Sequence, residues 1–159
     1  MVEDAKFADG GETPLRLQAL DAEDLQVVSA LAQDAVFPGN EMTWDRKGRR
    51  FAVLLNRFRW EDREKAERQH RELERVQSVL VVEDVLHVAS QGIDRADADT
   101  VLSLLSLEFS EGEEGGGDVL LTLAGDGAIR LTVEALEVRL GDVTRPYRAP
   151  SGTAPHHPE

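Results

Sequence analysis

Eight residues in one stretch carry the chemistry that stands out: Trp44, Arg46, Lys47, Arg49, Arg50, Arg57, Arg59 and Trp60. Guanidinium groups beside indole rings can stack on a planar ligand and hold a phosphate or another planar anion through paired N–H donors. The stretch lies in a local excess of positive charge. Residues 46–75 hold 11 basic and 6 acidic side chains, a net of +5, whereas residues 1–45 and 76–159 carry −8 and −10. The chain of 159 residues stands at −13 overall, which repels phosphate backbones and anionic lipid. The island is too small to reverse that repulsion, so nucleic acid and membrane are poor partners and one anionic group is a better one. The plainer reading of the same residues is solvated surface, neutralised by acids elsewhere in the fold, with the two tryptophans covering a sheet.

The sequence carries no other recognisable chemical motif. With no cysteine there is no disulfide, thiolate zinc site or thiol nucleophile. Neither the phosphate-cradling loop nor the nucleophile elbow is present, and Gly125-Asp126-Gly127 lacks the third glycine of the dinucleotide fingerprint. His70 and His87 are far apart, and His87 falls in an apolar run where a hydrogen-bonded structural histidine is the ordinary reading. Asp94, Asp97 and Asp99 share a short loop without the EF-hand spacing, and Glu111, Glu113, Glu114 and Asp118 sit in a glycine-rich stretch that offers no rigid cage. No metal, cofactor or catalytic residue is therefore expected. An enzyme would have to assemble its site from scattered residues such as His87, Asn56 and Asp94.

The elements that must position the Arg/Trp stretch are mostly strands. Leu15, Leu17 and Ala19 alternate with polar neighbours, which predicts a first short strand. Asp21 stands as an N-cap with Asp24 three residues on, and Leu25, Val28, Leu31 and Ala32 follow at helical spacing, predicting a helix over 22–33. Met42–Asp45 and Phe51–Leu55 then read as a hairpin, with Asp45 opening its turn and Gly48 in the left-handed conformation. Phe58 and Trp60 share one face of the returning strand and Arg57 and Arg59 the other. Residues 61–74 have helix formers but almost no apolar stripe, so they read as an exposed loop or solvent-laced helix. Apolar, β-branched runs at 76–82, 85–93, 101–109, 119–124 and 129–133 predict further strands, with 111–118 a flexible connection. Residues 134–143 fit either a strand with a bulge or a helix, and a continued strand is slightly preferred. Consecutive strands on short links imply antiparallel pairing. The expected fold is α+β, mainly antiparallel β: seven or eight strands in a roll, sandwich or open barrel, with one N-terminal helix. One domain over 14–144 is flanked by a flexible arm at 1–13 and a disordered proline-rich tail at 145–159.

The segments Leu15-Arg-Leu-Gln-Ala-Leu-Asp-Ala-Glu-Asp-Leu25, Ser29–Val36 and Arg50-Phe-Ala-Val-Leu-Leu-Asn-Arg-Phe-Arg-Trp-Glu61 resemble alphaproteobacterial proteins grouped as domain of unknown function 2948. Arg75–Leu80, Ser90–Arg95 and Gly127–Glu134 fit the same pattern, so the resemblance spans about residues 14–143. It implies a bacterial cytoplasmic origin and no particular activity, cofactor or catalytic residue. No apolar run is long enough to span a membrane and no secretory signal is visible, so a soluble cytoplasmic protein is expected.

The expected function is a non-catalytic protein-binding or accessory module using sheet surface and the hairpin. The alternative is a binding module for a phosphorylated or nucleotide-like small molecule through the basic 46–59 hairpin. An enzyme without a recognisable motif ranks third. The partner is expected to be a protein, with a homodimer possible if an acidic face of one copy meets the basic island of its mate.

Overall fold

A computed structural model describes residues 13–93 and 99–148. Ten strands form one sheet: β1 (Arg16–Ala19), β2 (Val36–Pro38), β3 (Met42–Asp45), β4 (Arg50–Phe58), β5 (Arg75–Val82), β6 (Val85–Gln91), β7 (Val101–Glu111), β8 (Gly117–Leu123), β9 (Gly127–Val133) and β10 (Val138–Asp142). Two helices interrupt them, α1 (Ala22–Ala32) and α2 (Arg63–Arg68). The order across the sheet is β1-β10-β5-β4-β2-β7-β8-β9-β6, with β3 paired to β4. Every pairing between these strands is antiparallel.

The class is α+β, but the counts of seven or eight strands and one helix need correction. β2 escaped the sequence reading because it has only three residues and ends in Pro38-Gly39, which reads as a turn. Its main chain nevertheless joins the halves, pairing Val36 with Asn56 of β4 and with Ser103 of β7. α2 is a second helix within 61–74; it buries only Ala66, which is why no apolar stripe announced it. Residues 138–142 are a strand, but not a continuation of β9. The chain breaks after Val133 and β10 inserts between β1 and β5.

Helix α1 forms where predicted. The Asp21 carboxylate accepts the Asp24 amide at 2.8 Å, satisfying one of the free N–H groups at the helix start. Leu25, Val28 and Ala32 are buried on one face, and α1 packs on β1, β4 and β7. Alternation does the rest. Phe51, Val53 and Leu55 of β4, Leu80 and Val82 of β5 and Leu140 of β10 share one core with Leu107, Leu121 and Leu131 of the other half. Register shifts at Leu104/Ser106 in β7 and Val85/His87 in β6 mark bulges, the device by which a sheet bends.

The glycine-rich stretch at 111–118 is a tight hairpin rather than a slack linker. Glu111 pairs with Gly117, and a short 3-10 turn at Glu113–Gly115 closes the loop. The expected arm at 1–13 lies outside the described residues except for Thr13, and so does the tail beyond Arg148. The described start of that tail does not hang free. Tyr147 and Arg75 exchange both main-chain hydrogen bonds, at 2.6 and 2.8 Å.

Candidate functional site

The eight residues of the Arg/Trp stretch do not gather into one patch. Trp44 lies opposite Phe51 and packs partly buried against the core. Arg46 and Lys47 are exposed on the hairpin turn. The left-handed residue there is Arg49 (φ 54°), not Gly48. A Cβ at Gly48 would fall 2.5 Å from Asp45 Oδ2, so a larger residue there would displace the Asp45 carboxylate, whose Oδ1 accepts the Gly48 amide at 3.1 Å. Arg49 pairs with Glu134 at 2.6 Å and Arg50 with Glu83 at 3.0 Å. Arg57 is seven positions beyond Arg50, about 23 Å along an extended strand.

Arg57 points inward, and its side chain is 0% exposed. Its Nε donates to Ser78 Oγ at 3.0 Å, Nη1 to the Phe58 carbonyl at 3.0 Å, and Nη2 to Asp142 Oδ1 at 3.0 Å. Glu61 accepts from Nη1 and Nη2 at 2.9 and 2.8 Å, a bidentate pair. Asp142 in turn accepts the Ser78 hydroxyl at 2.7 Å and the Leu15 amide at 2.8 Å. Burial lowers the basicity of Arg57, but Glu61 and Asp142 outweigh it and hold its pKa above the ordinary guanidinium value. Arg59 is also buried, with Glu74 at 2.7 Å and Asp62 at 3.5 Å. Both arginines are thus internal staples joining β4 to β5, β10 and the α2 segment. Charge reversal at Arg57 would break a core network, so it cannot probe a surface without unfolding effects. Trp60 packs against Phe58 in a tilted pair, 5.4 Å between ring centroids, and donates its indole N–H to the Gln33 carbonyl at 2.8 Å.

The face that is available is the outer surface of β4, β5 and β10. Cross-strand register places Ala52 beside Val81, Leu54 beside Val79, and Val79 in turn beside Gly141. All five are half-buried only, and no helix packs there among the described residues. The rim is polar and charged. At one end Glu83 accepts from Arg50 and from Arg139 at 2.5 Å, and Arg139 also reaches Glu137 at 3.1 Å. At the edge, the exposed Arg16 guanidinium lies over Gly141: a Cβ built there would sit 3.7 Å from its Nη1. Together with Val79, Val81 and Val143 it lines an open groove of about 380 Å³. At the far end stand Asn56, Gln77, Arg75 and Tyr147. The other half of the sheet is different: its outer rows join Ser106, Thr122, Glu108, Arg130, Asp118 and Thr132, with Leu120 and Ala128 among them.

Sequence reasoning missed Arg75, Arg16 and Tyr147 because each reads singly as an ordinary charged strand end or tail residue. His87, expected as a hydrogen-bonded structural histidine, is exposed on β6. Asn56 lies on β4 of the opposite half, and Asp94 is outside the described residues, so His87 and Asn56 do not share a site. Among the described residues, no three His, Asp or Glu side chains come together as metal ligands, and no helix is long and apolar enough to cross a membrane.

The rim carboxylate gives one pH-dependent expectation. Partial burial pushes the Glu83 pKa up, but hydrogen bonds and charge from Arg50 and Arg139 outweigh it and leave it lowered. A folded pKa below the unfolded value of about 4.3 means stability is present above that pH and is lost as pH falls through the folded pKa. Glu83→Gln should lower the melting temperature at pH 7 by about 2–4 °C, one surface-network increment of roughly 1 kcal/mol. The gap to the parent should close towards pH 3; a gap unchanged by acid would count against this assignment.

No curated protein and no solved structure matches the chain at a significant level. A family model does, over residues 15–157, which is nearly the whole length. The chain therefore belongs to the family described as "Protein of unknown function (DUF2948)".

Proposed function

We propose that the chain is a non-catalytic protein-binding module whose docking surface is the outer face of β4, β5 and β10. The observation that carries this reading is the contrast between the two halves of one sheet. The β7-β8-β9 half shows water mostly polar rows, whereas Ala52, Leu54, Val79, Val81 and Gly141 form an uncharged centre inside a charged rim. An apolar centre with a polar rim is how protein interfaces are built. Three strands of about six residues present about 15 Å by 20 Å, less than half the roughly 800 Å² that each partner buries in a standard stable complex. The face suits a peptide segment or a transient partner better than a permanent subunit.

A phosphate or nucleotide ligand at the 46–59 hairpin has less support, since Arg49, Arg50, Arg57 and Arg59 already have carboxylate partners. Val79→Lys combined with Val81→Lys tests the docking reading. Both side chains point away from the core, so the fold should survive, while a partner co-purifying with the parent should be lost. Thr122→Lys on the polar half should leave that partner bound. Loss from both variants, or from neither, would contradict the assignment.

A further inference from the structure

Among the described residues, Arg49, Arg57, Arg59, Arg71 and Arg139 are buried or half-buried, and each has a carboxylate within 3.5 Å. Arg75 is half-buried too and has none; its hydrogen bonds are all to neutral groups. Its guanidinium lies over Phe58, with Cζ 4.2 Å from the ring centroid, and Phe58 in turn contacts Trp60. The Nε donates to Asn56 Oδ1 at 2.7 Å, and Nη2 reaches the Asn56 carbonyl at 3.4 Å. That fixes one edge of the fork. The end-on edge, one N–H of Nη1 and the second N–H of Nη2, has no acceptor among the described residues. The Asn56 amide also donates to the Tyr147 hydroxyl at 2.6 Å, leaving the phenolic proton without an acceptor there. One asparagine thus orients an open guanidinium edge and a hydroxyl donor together.

We propose that Arg75, with Tyr147 and the positioning residue Asn56, is an oxyanion-binding site that takes a carboxylate or a phosphate group. A guanidinium lying over a ring and held along one edge has little orientation left to lose, so its remaining donors form a pre-set end-on fork for a planar or tetrahedral oxyanion. Burial lowers the basicity of this arginine more than the neighbouring Tyr147 phenol restores it, and a bound oxyanion supplies a full counter-charge. The site lies at the end of the face assigned above but does not depend on it, because the test uses the protein alone.

The experiment is a titration of the full chain, followed by the arginine side-chain Nε–H signals in proton–nitrogen spectra, with sodium acetate and with inorganic phosphate. Sodium chloride at matched ionic strength is the control. The Arg75 signal should move saturably with acetate, marking a carboxylate site, or with phosphate, marking a phosphoryl site. Tyr147→Phe keeps the ring in place and should weaken the effective anion about fivefold, the loss of one hydrogen bond. Arg75→Gln should abolish the saturable response. An Arg75 signal that neither anion moves, or that chloride moves equally, would overturn the proposal. So would a Tyr147→Phe variant that binds as tightly as the parent.

Discussion

Asp142→Ala is expected to destabilise the protein by about 3–5 kcal/mol, the cost of leaving a buried charge without its partner. Asp142 holds three groups from three places: Arg57 from β4, Ser78 from β5 and the Leu15 amide ahead of β1. Its removal strands a guanidinium whose side chain is fully buried, with Glu61, a quarter exposed, as the one carboxylate left to it among the described residues. At about 2–4 °C per kcal/mol for a chain of this size, the melting temperature should fall by roughly 6–20 °C. The internal control is Arg57→Met combined with Asp142→Leu. A buried ion pair replaced by apolar groups of similar volume is often neutral or better, so the double variant should be more stable than Asp142→Ala alone. Denaturant melts of the four members of the Arg57/Asp142 cycle would show strong coupling; simple additivity would mean that the network contributes nothing as a unit.

Gly117→Ala is the second large effect. A Cβ at this position would lie 2.2 Å from the Ser110 carbonyl oxygen, 2.9 Å from the Phe109 ring and 3.0 Å from the Gly112 amide. Two of these three are backbone, so relief requires the β7–β8 hairpin itself to move, and Gly117 also pairs with Val133 of β9. Overpacking of this kind costs typically 1–3 kcal/mol and more when main chain must yield, so a loss of about 3 kcal/mol is expected. Gly115 two residues earlier offers the comparison. Its φ is +84° and a Cβ there meets nothing within 4 Å, so Gly115→Asn meets only backbone strain, and as Asn tolerates left-handed backbone better than most residues it should cost about 1 kcal/mol. Equal melting temperatures for the two variants would contradict this account of the hairpin.

Local signals were legible where chemistry and neighbours coincide in the chain. Asp21 before Leu25 and Val28 marks α1, and the β3–β4 hairpin follows from Asp45, Gly48 and the apolar run after them. The errors share a physical cause. Period-two alternation on β4 shows that Arg57 sits opposite Phe58, but not which of the two faces the core. Arg57 can go inward only because Asp142, 85 residues away, arrives beside it on β10, and no local pattern announces that strand's place between β1 and β5. Phe58 is buried on the outer side for the complementary reason: Arg75 and Trp60 cover it. In the same way Gly116 and Gly117 read as slack, whereas close main-chain approaches in the folded sheet require them. The uncovered face was only half legible. Val79 and Val81 could be seen alternating with Leu80 and Val82, yet their availability depends on where the helices pack.

The central claim is that the face built by Ala52, Leu54, Val79 and Val81 meets a protein partner. The most direct measurement replaces Val79 with a photoreactive benzoylphenylalanine in living cells, beside a matched replacement of Thr122 on the polar half, and identifies adducts by mass spectrometry. The account predicts discrete protein adducts from position 79, repeated in independent preparations, and none from position 122. No adduct from position 79, or the same adducts from both positions, would contradict it.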